Sequence, residues 1–412
     1  MIVSSVFRSL ACLFVLGLFA SGGVLAQDVG VDVGGGAGIF RPKNPETKRR
    51  APRPTTPVTK RPTTSSTKVS TPVVNPAVDA ERIEDLLEKG NGFRDARRFA
   101  EAEDAYQGVL KLKPRDSRAS YGLGNVYSDQ QRWEESENNY RVAVQGPADV
   151  DALIALSVVL TQPRTGADNA KRLADAETFA RRAIQIDPKS AVAWDRLGVA
   201  LQSRGSFTPE TENAYRKAVE LDPQFAIAYA HLARVLNKMG RREEGPPLYQ
   251  KAAELAKDPA TLNLIAESLQ SEQQWENSGP ILKRALELDA RNPNSLYLMG
   301  RMLVVVKRYQ EAEPYLKQAT EVSPKAFQPF NLLGRSYLAM ARNEEAELTY
   351  ERAVGVASPA DRKQLAGVFG FEGVGDAFMQ AKNKASAARA YKRALELDPA
   401  NKQLEQKLAS AR

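Results

Sequence analysis

The stretch KRALELDP at residues 392–399 has three near-copies: KRALELDA at 283–290, RKAVELDP at 216–223 and RRAIQIDP at 181–188. From 181 to 216 is 35 residues, from 216 to 283 is 67, and from 283 to 392 is 109. A unit of about 34 residues accounts for one, two and three periods in turn, with seven residues left over in the last. Each copy reads as a helix end. The Ala packs closely, the apolar pair faces a core, and the proline closing three of the copies cannot continue the helix and extends the residue before it.

The same period organises the surrounding residue types. Residues 117–150 carry Leu123, Gly124, Tyr127, Trp133, Tyr140 and Ala143. The matching places in 191–225 are Leu197, Gly198, Leu201, Phe207, Tyr215 and Ala218. In 293–326 they are Met299, Gly300, Leu303, Tyr309, Ala312 and Ala319, and in 327–360 Leu333, Gly334, Tyr337, Ala346, Tyr350 and Ala353. Weaker copies fit 83–116, 226–258 and 259–292. Two more are irregular. The copy at 150–190 has about seven extra residues near QPRTGAD, and the copy at 368–401 is preceded by a similar insertion near PADRKQLAG.

This pattern resembles the tetratricopeptide repeat family over residues 79–412. The resemblance implies an all-α fold, a right-handed α-solenoid of stacked antiparallel helix pairs. About nine repeats fill 79–400, and residues 401–412 form a capping helix with Leu404 and Leu408 on its inner side. Small residues at the eighth, twentieth and twenty-seventh positions bring the paired backbones together, and bulky neighbours fill the gaps. One pair cannot bury its faces alone, so neighbours stack. In this family the concave wall comes from the first helix of each pair, chiefly positions 2, 5, 9, 12 and 13, and holds extended peptides or partner helices.

The formal charge of +8 on 412 residues is unevenly spread. Residues 27–78 hold nine Lys or Arg against three acids, so the repeats are nearly neutral and give no sign of a nucleic-acid surface. Residues 1–26 read as a secretory signal: Arg8, the apolar run LACLFVLGLFA, then small residues ending at Ala26. An uncleaved N-terminal anchor is the alternative. Cys12 is the only cysteine and lies within that run, so the mature chain uses no disulfide. These features place the chain in a bacterial periplasm or cell envelope, or outside the cell. Residues 27–78, rich in Gly, Pro, Thr and Lys/Arg, read as a disordered tether with local polyproline character. It acts as a solvated spacer, or else makes weak contact with anionic envelope polymer or lipid.

No enzyme signature is present. His231 is the only histidine, so no His cluster serves a metal or acid–base chemistry. Phosphate-loop and nucleophile-elbow motifs are absent, and no cofactor is expected. The candidate residues lie instead on the expected inner wall: Asn91, Asn125, Arg234, Asn237, Lys238, Tyr297, Arg301, Asn331 and Arg335. An Asn pairs with peptide backbone through donor and acceptor, and Arg takes a carboxylate in two-point fashion. The competing reading is that they are ordinary solvated or helix-paired side chains. The family's clamp for a C-terminal carboxylate is absent: Asn91 fits one of its places, but Leu87, Gly122, Asp151 and Ala155 occupy others. Two functional expectations follow. One is an exported, non-catalytic scaffold that binds a protein partner through its groove. The other is an accessory subunit of a glycan-transfer, polysaccharide-export or outer-membrane assembly machine.

Overall fold

The structure, a computed structural model, describes residues 42–47, 76–147, 149–164 and 168–412. The expected signal at 1–26 and most of the expected tether lie outside these residues. Every regular element among the described residues is a helix. None is long and apolar enough to cross a membrane.

The chain forms two compact units that divide after Lys251. In the front unit α1 (Pro76–Asp95) pairs with α2 (Phe99–Leu112), and α3 (Ser117–Asp129) with α4 (Trp133–Ala143). α5 (Val150–Leu160) pairs with α6 (Asn169–Ile186), and α7 (Ala191–Ser203) with α8 (Pro209–Leu221). α9 (Ala226–Lys238) packs on α8, and α10 (Gly245–Leu255) follows. The first helix starts at Pro76, three residues before the repeat boundary read from the sequence. Proline is well placed there, because its missing N–H would be unsatisfied in a first turn anyway.

In the back unit α11 (Pro259–Ser271) pairs with α12 (Trp275–Leu288), α13 (Pro293–Val305) with α14 (Tyr309–Val322), and α15 (Phe327–Ala339) with α16 (Asn343–Val356). The insertion before the last repeat is a short helix, α17 (Pro359–Ala366), opened by a reciprocal cap between Ser358 and Asp361. α18 (Phe371–Gln380) then pairs with α19 (Lys384–Leu397). α20 (Lys402–Ala411) packs on α19 with Leu404 fully buried. Both units are therefore stacked helix pairs, the solenoid arrangement, and first helices of neighbouring pairs lie side by side.

The octapeptides close α6, α8, α12 and α19. Ala183, Ala218, Ala285 and Ala394 are fully buried, and each carbonyl accepts the N–H of the Asp four residues on at 2.9–3.0 Å. The turn inside every pair other than α5–α6 is equally regular. Arg97, Gln131, Gly205, Gly240, Gln273, Lys307, Ala341 and Lys382 all take left-handed backbone, φ 57–85°. The next residue's N–H then returns to a carbonyl five residues back, as from Arg98 to Phe93 at 2.8 Å. That bond satisfies an orphan helix-end carbonyl and reverses the chain within three residues.

Candidate peptide-binding groove

In five repeats a first-helix glycine packs closely against a second-helix tyrosine: Gly90 on Tyr106, Gly124 on Tyr140, Gly198 on Tyr215, Gly334 on Tyr350 and Gly375 on Tyr391. A Cβ on Gly90 would stand 2.6 Å from the Tyr106 ring, and one on Gly124 would stand 2.5 Å from Tyr140. Both tyrosines are fully buried. Lying this deep, each reaches the first-helix residue at position 9. The Tyr106 hydroxyl donates to Asn91 Oδ1 at 2.7 Å, and the Tyr140 hydroxyl donates to Asn125 Oδ1 at 2.7 Å. With its oxygen engaged, each amide turns its nitrogen toward the open side of the helix.

Residues 42–47 lie against that side, and the two amides hold them by the main chain. Asn91 Nδ2 donates to the Pro45 carbonyl at 2.9 Å, and Asn125 Nδ2 to the Lys43 carbonyl at 2.8 Å. Arg94 Nη1 donates to the Pro42 carbonyl at 2.7 Å and to Asn44 Oδ1 at 3.0 Å. Asn44 Nδ2 in turn donates to Asp95 Oδ2 at 2.8 Å. Arg118 donates to the Glu46 carbonyl at 3.3 Å. Pro42 and Pro45 are buried, while Lys43 and Glu46 point outward. The contacts interleave the two helices: α1 holds the Pro42 and Pro45 carbonyls through Arg94 and Asn91, and α3 holds those of Lys43 and Glu46 through Asn125 and Arg118.

Ion pairs stiffen the groove floor. Arg94, only 1% exposed, makes a two-point contact with Asp129 at 2.8 and 3.1 Å. Arg118 pairs with Glu84 at 2.9 Å. Asp151 on α5 faces Lys43 Nζ at 3.8 Å, and its burial holds its carboxyl above the usual range. Glu84, Asn91, Arg94, Asp95, Arg118, Asn125, Asp129 and Asp151 all occupy positions 2, 9, 12 or 13 of their repeats. Asn91 and Asn125 were individual candidates from the sequence. Arg94, Asp95, Arg118, Asp129 and Asp151 were not, although their positions were the signal that would have found them. In sequence, residues 42–47 read as part of a disordered tether; in the structure their prolines are buried and their carbonyls are held by the repeats.

The other candidates do not join this groove. Arg234, Asn237 and Lys238 lie on α9. Arg234 is half-buried, Asn237 is packed against Gly245, and Lys238 is exposed. Tyr297 and Arg301 on α13, and Asn331 and Arg335 on α15, belong to the back unit. Tyr297 and Asn331 are buried. Arg301 donates to Gln270 at 2.8 Å and lies over Tyr297 and Trp275, and Arg335 lies over the exposed Phe369 ring at 4.7 Å. Of these, Arg301 is held by a neighbouring helix rather than facing open space. In the last repeat the position-9 residue is Asp376. It accepts from Tyr391 at 2.6 Å and is covered by Lys407 of α20 at 2.7 Å.

The lone histidine is structural. His231 Nδ1 lies 2.8 Å from Asp195, whose other oxygen accepts from Arg196 at 2.5 Å, and all three side chains are buried. Burial raises the Asp195 carboxyl, but the charges of Arg196 and His231 outweigh it and hold the pKa below the ordinary value. Among the described residues no three His, Cys, Asp or Glu side chains converge to hold a metal.

Tetratricopeptide repeat sequence models match residues 87–151, 297–362 and 373–401. No curated protein sequence matches the chain. Among solved structures, yeast Tom70 aligns over 83% of this chain and 69% of its own, at 14% identity and TM-score 0.51. A tetratricopeptide repeat protein from Parabacteroides merdae aligns over 61% of this chain and 98% of its own, at 16% identity and TM-score 0.47. YrrB, a TPR protein with an unusual peptide-binding site, aligns over 43% of this chain and 91% of its own, at 22% identity and TM-score 0.35. Likeness at these identities is one of fold.

Proposed function

We propose that this chain, a tetratricopeptide repeat protein, is an exported, non-catalytic scaffold that holds an extended segment of a protein partner in the groove of α1, α3 and α5. The observation carrying this reading is the pair Asn91 and Asn125. They stand one repeat apart, each is fixed by a buried tyrosine, and each offers its amide nitrogen to a main-chain carbonyl. Donors aimed at carbonyls read backbone rather than side chains, so they favour extended ligands and tolerate varied sequence. A preset amide loses little freedom on binding. The signal-like residues 1–26 support export, and a chain without cysteine after Cys12 is compatible with an oxidising compartment.

Affinity capture from envelope fractions tests both parts, with the chain and its Asn91→Ala/Asn125→Ala variant matched for helicity by circular dichroism. A protein retained by the first and lost by the second supports the reading. Equal capture by both, or recovery of the chain solely from the cytoplasm, overturns it.

A further inference from the structure

We propose that the front groove is a binding site for a proline-spaced extended peptide, and that the chain's own residues 42–47 are its resident, displaceable occupant. This deepens the functional reading above and rests on it. Three observations carry it.

The first is the burial pattern. Pro42 and Pro45 are buried while Lys43 and Glu46 are exposed. A three-residue interval between buried side chains is the repeat of a polyproline II strand, which leaves its carbonyls free for outside donors. Those carbonyls meet Arg94, Asn125 and Asn91. Proline also lowers the entropy lost on docking, because its φ is already fixed.

The second is the treatment of Asn44. Its side-chain oxygen accepts from Arg94 and its nitrogen donates to Asp95. The site therefore needs an acceptor and a donor on one short side chain. The sequence repeats the Arg-Pro-x-x-Pro spacing at 53–57, but places Thr56 where Asn44 stands. A Thr hydroxyl both donates and accepts, but through one atom nearer the main chain, whereas Asn44 reaches Arg94 and Asp95 with two separate atoms of its amide, so the groove favours 42–47.

The third is reach. Asn91 stands about 22 Å along α1 from Pro76, at 1.5 Å per residue. The 28 residues from 48 to 75 span up to ~95 Å when extended. The chain thus folds its own ligand back without strain. A tether of this kind presents the segment at an effective concentration on the order of 1 mM. If the resident segment's own intrinsic Kd is ~0.1 mM, any competing segment binds the occupied groove about tenfold more weakly than the empty one. A partner must outcompete the resident segment, so weak ligands are refused.

Fluorescence anisotropy with a labelled Arg-Pro-Lys-Asn-Pro-Glu-Thr peptide, the sequence of residues 41–47, tests this. It is titrated against the full chain, a full chain with residues 42–47 replaced by alternating Gly and Ser, and that replaced chain also carrying Asn91→Asp. The aspartate keeps an acceptor for Tyr106, as Asp376 does for Tyr391 in the last repeat, but loses the donor. The expected order is binding at ~0.1 mM by the replaced chain, about tenfold weaker binding by the full chain, and loss of binding with Asn91→Asp. Equal affinity for the full and replaced chains overturns resident occupancy. No binding by the replaced chain overturns the ligand class. If that replaced chain still captures an envelope protein in an Asn91-dependent way, this inference fails while the scaffold reading stands; if it captures none, both fail.

Discussion

The Tyr106 hydroxyl donates a 2.7 Å hydrogen bond to the Asn91 side-chain oxygen, and the Asn91 nitrogen donates in turn to the Pro45 carbonyl at 2.9 Å. The carbonyl of Pro45 can only accept, so it fixes which end of the amide faces it. A residue in the core of the helix pair thereby sets the orientation of one on the groove. Tyr106→Phe keeps the ring that fills the space beside Gly90 and removes only the hydroxyl. It is expected to cost about 1 kcal/mol of stability and to weaken the hold on residues 42–47. Thermal melting reads the first effect, and amide hydrogen exchange at Lys43 and Asn44 reads the second as faster exchange.

Two glycines two residues apart are expected to respond with opposite sign. A Cβ on Gly90 would meet the Tyr106 ring at 2.6 Å, whereas one on Gly92 meets nothing within 4 Å. Gly90→Ala is expected to destabilise by about 1–3 kcal/mol through overpacking. Gly92→Ala is expected to stabilise by about 0.5–1 kcal/mol, because glycine loses the most backbone entropy in a helix interior. Urea midpoints of the two variants decide this; a shift of both in one direction would contradict it.

The intra-pair turn puts Ala341 at φ 58°, where the front unit uses Gly205 and Gly240. Left-handed backbone costs a residue with a Cβ roughly 1–2 kcal/mol. Ala341→Gly is therefore expected to stabilise the back unit by up to about 1 kcal/mol after glycine's own entropy cost is deducted. A higher midpoint for back-unit unfolding in calorimetry checks it.

The buried Asp195 carboxyl has its pKa lowered in the folded state. Its ionised form thus contributes stability that is fully present above the unfolded carboxyl pKa of about 3.9. That contribution is lost as the pH falls through the lower folded value. Asp195→Asn leaves Arg196 and His231 without their carboxylate, so it is expected to lower stability by about 3–5 kcal/mol at pH 7. The gap between variant and parent is expected to narrow below pH 4. Denaturation midpoints measured from pH 2.5 to 7 test this; a gap that widened in acid would refute it.

Much of this protein could be read from its sequence because each repeat carries its own packing code. Gly124 and Tyr140, or Ala346 and Ala353, act on neighbours within one helix pair, so their spacing repeats in the chain as it does in space. The seven leftover residues before the last repeat marked α17 for the same reason. Asn91 and Asn125 stood out because a polar residue recurred one period apart at a wall position. Arg94 did not, since position 12 in the second repeat holds Ser128 and no recurrence drew attention to it.

Residues 42–47 were hidden for a different reason. Their partners lie 46 to 82 positions away, from the Pro45 carbonyl to Asn91 and from the Lys43 carbonyl to Asn125. Proline, lysine and asparagine in composition alone signal a solvated chain, because the segment brings no large apolar side chain of its own. The repeats, their turns and their tight Gly–Tyr contacts are local and periodic, so the sequence determined them. Which wall residues point nitrogen outward, and that the chain's own proline-spaced segment meets them, are non-local. Only the stacked helices, by bringing α1 and α3 side by side with Asp151 of α5 within reach of Lys43, decided them.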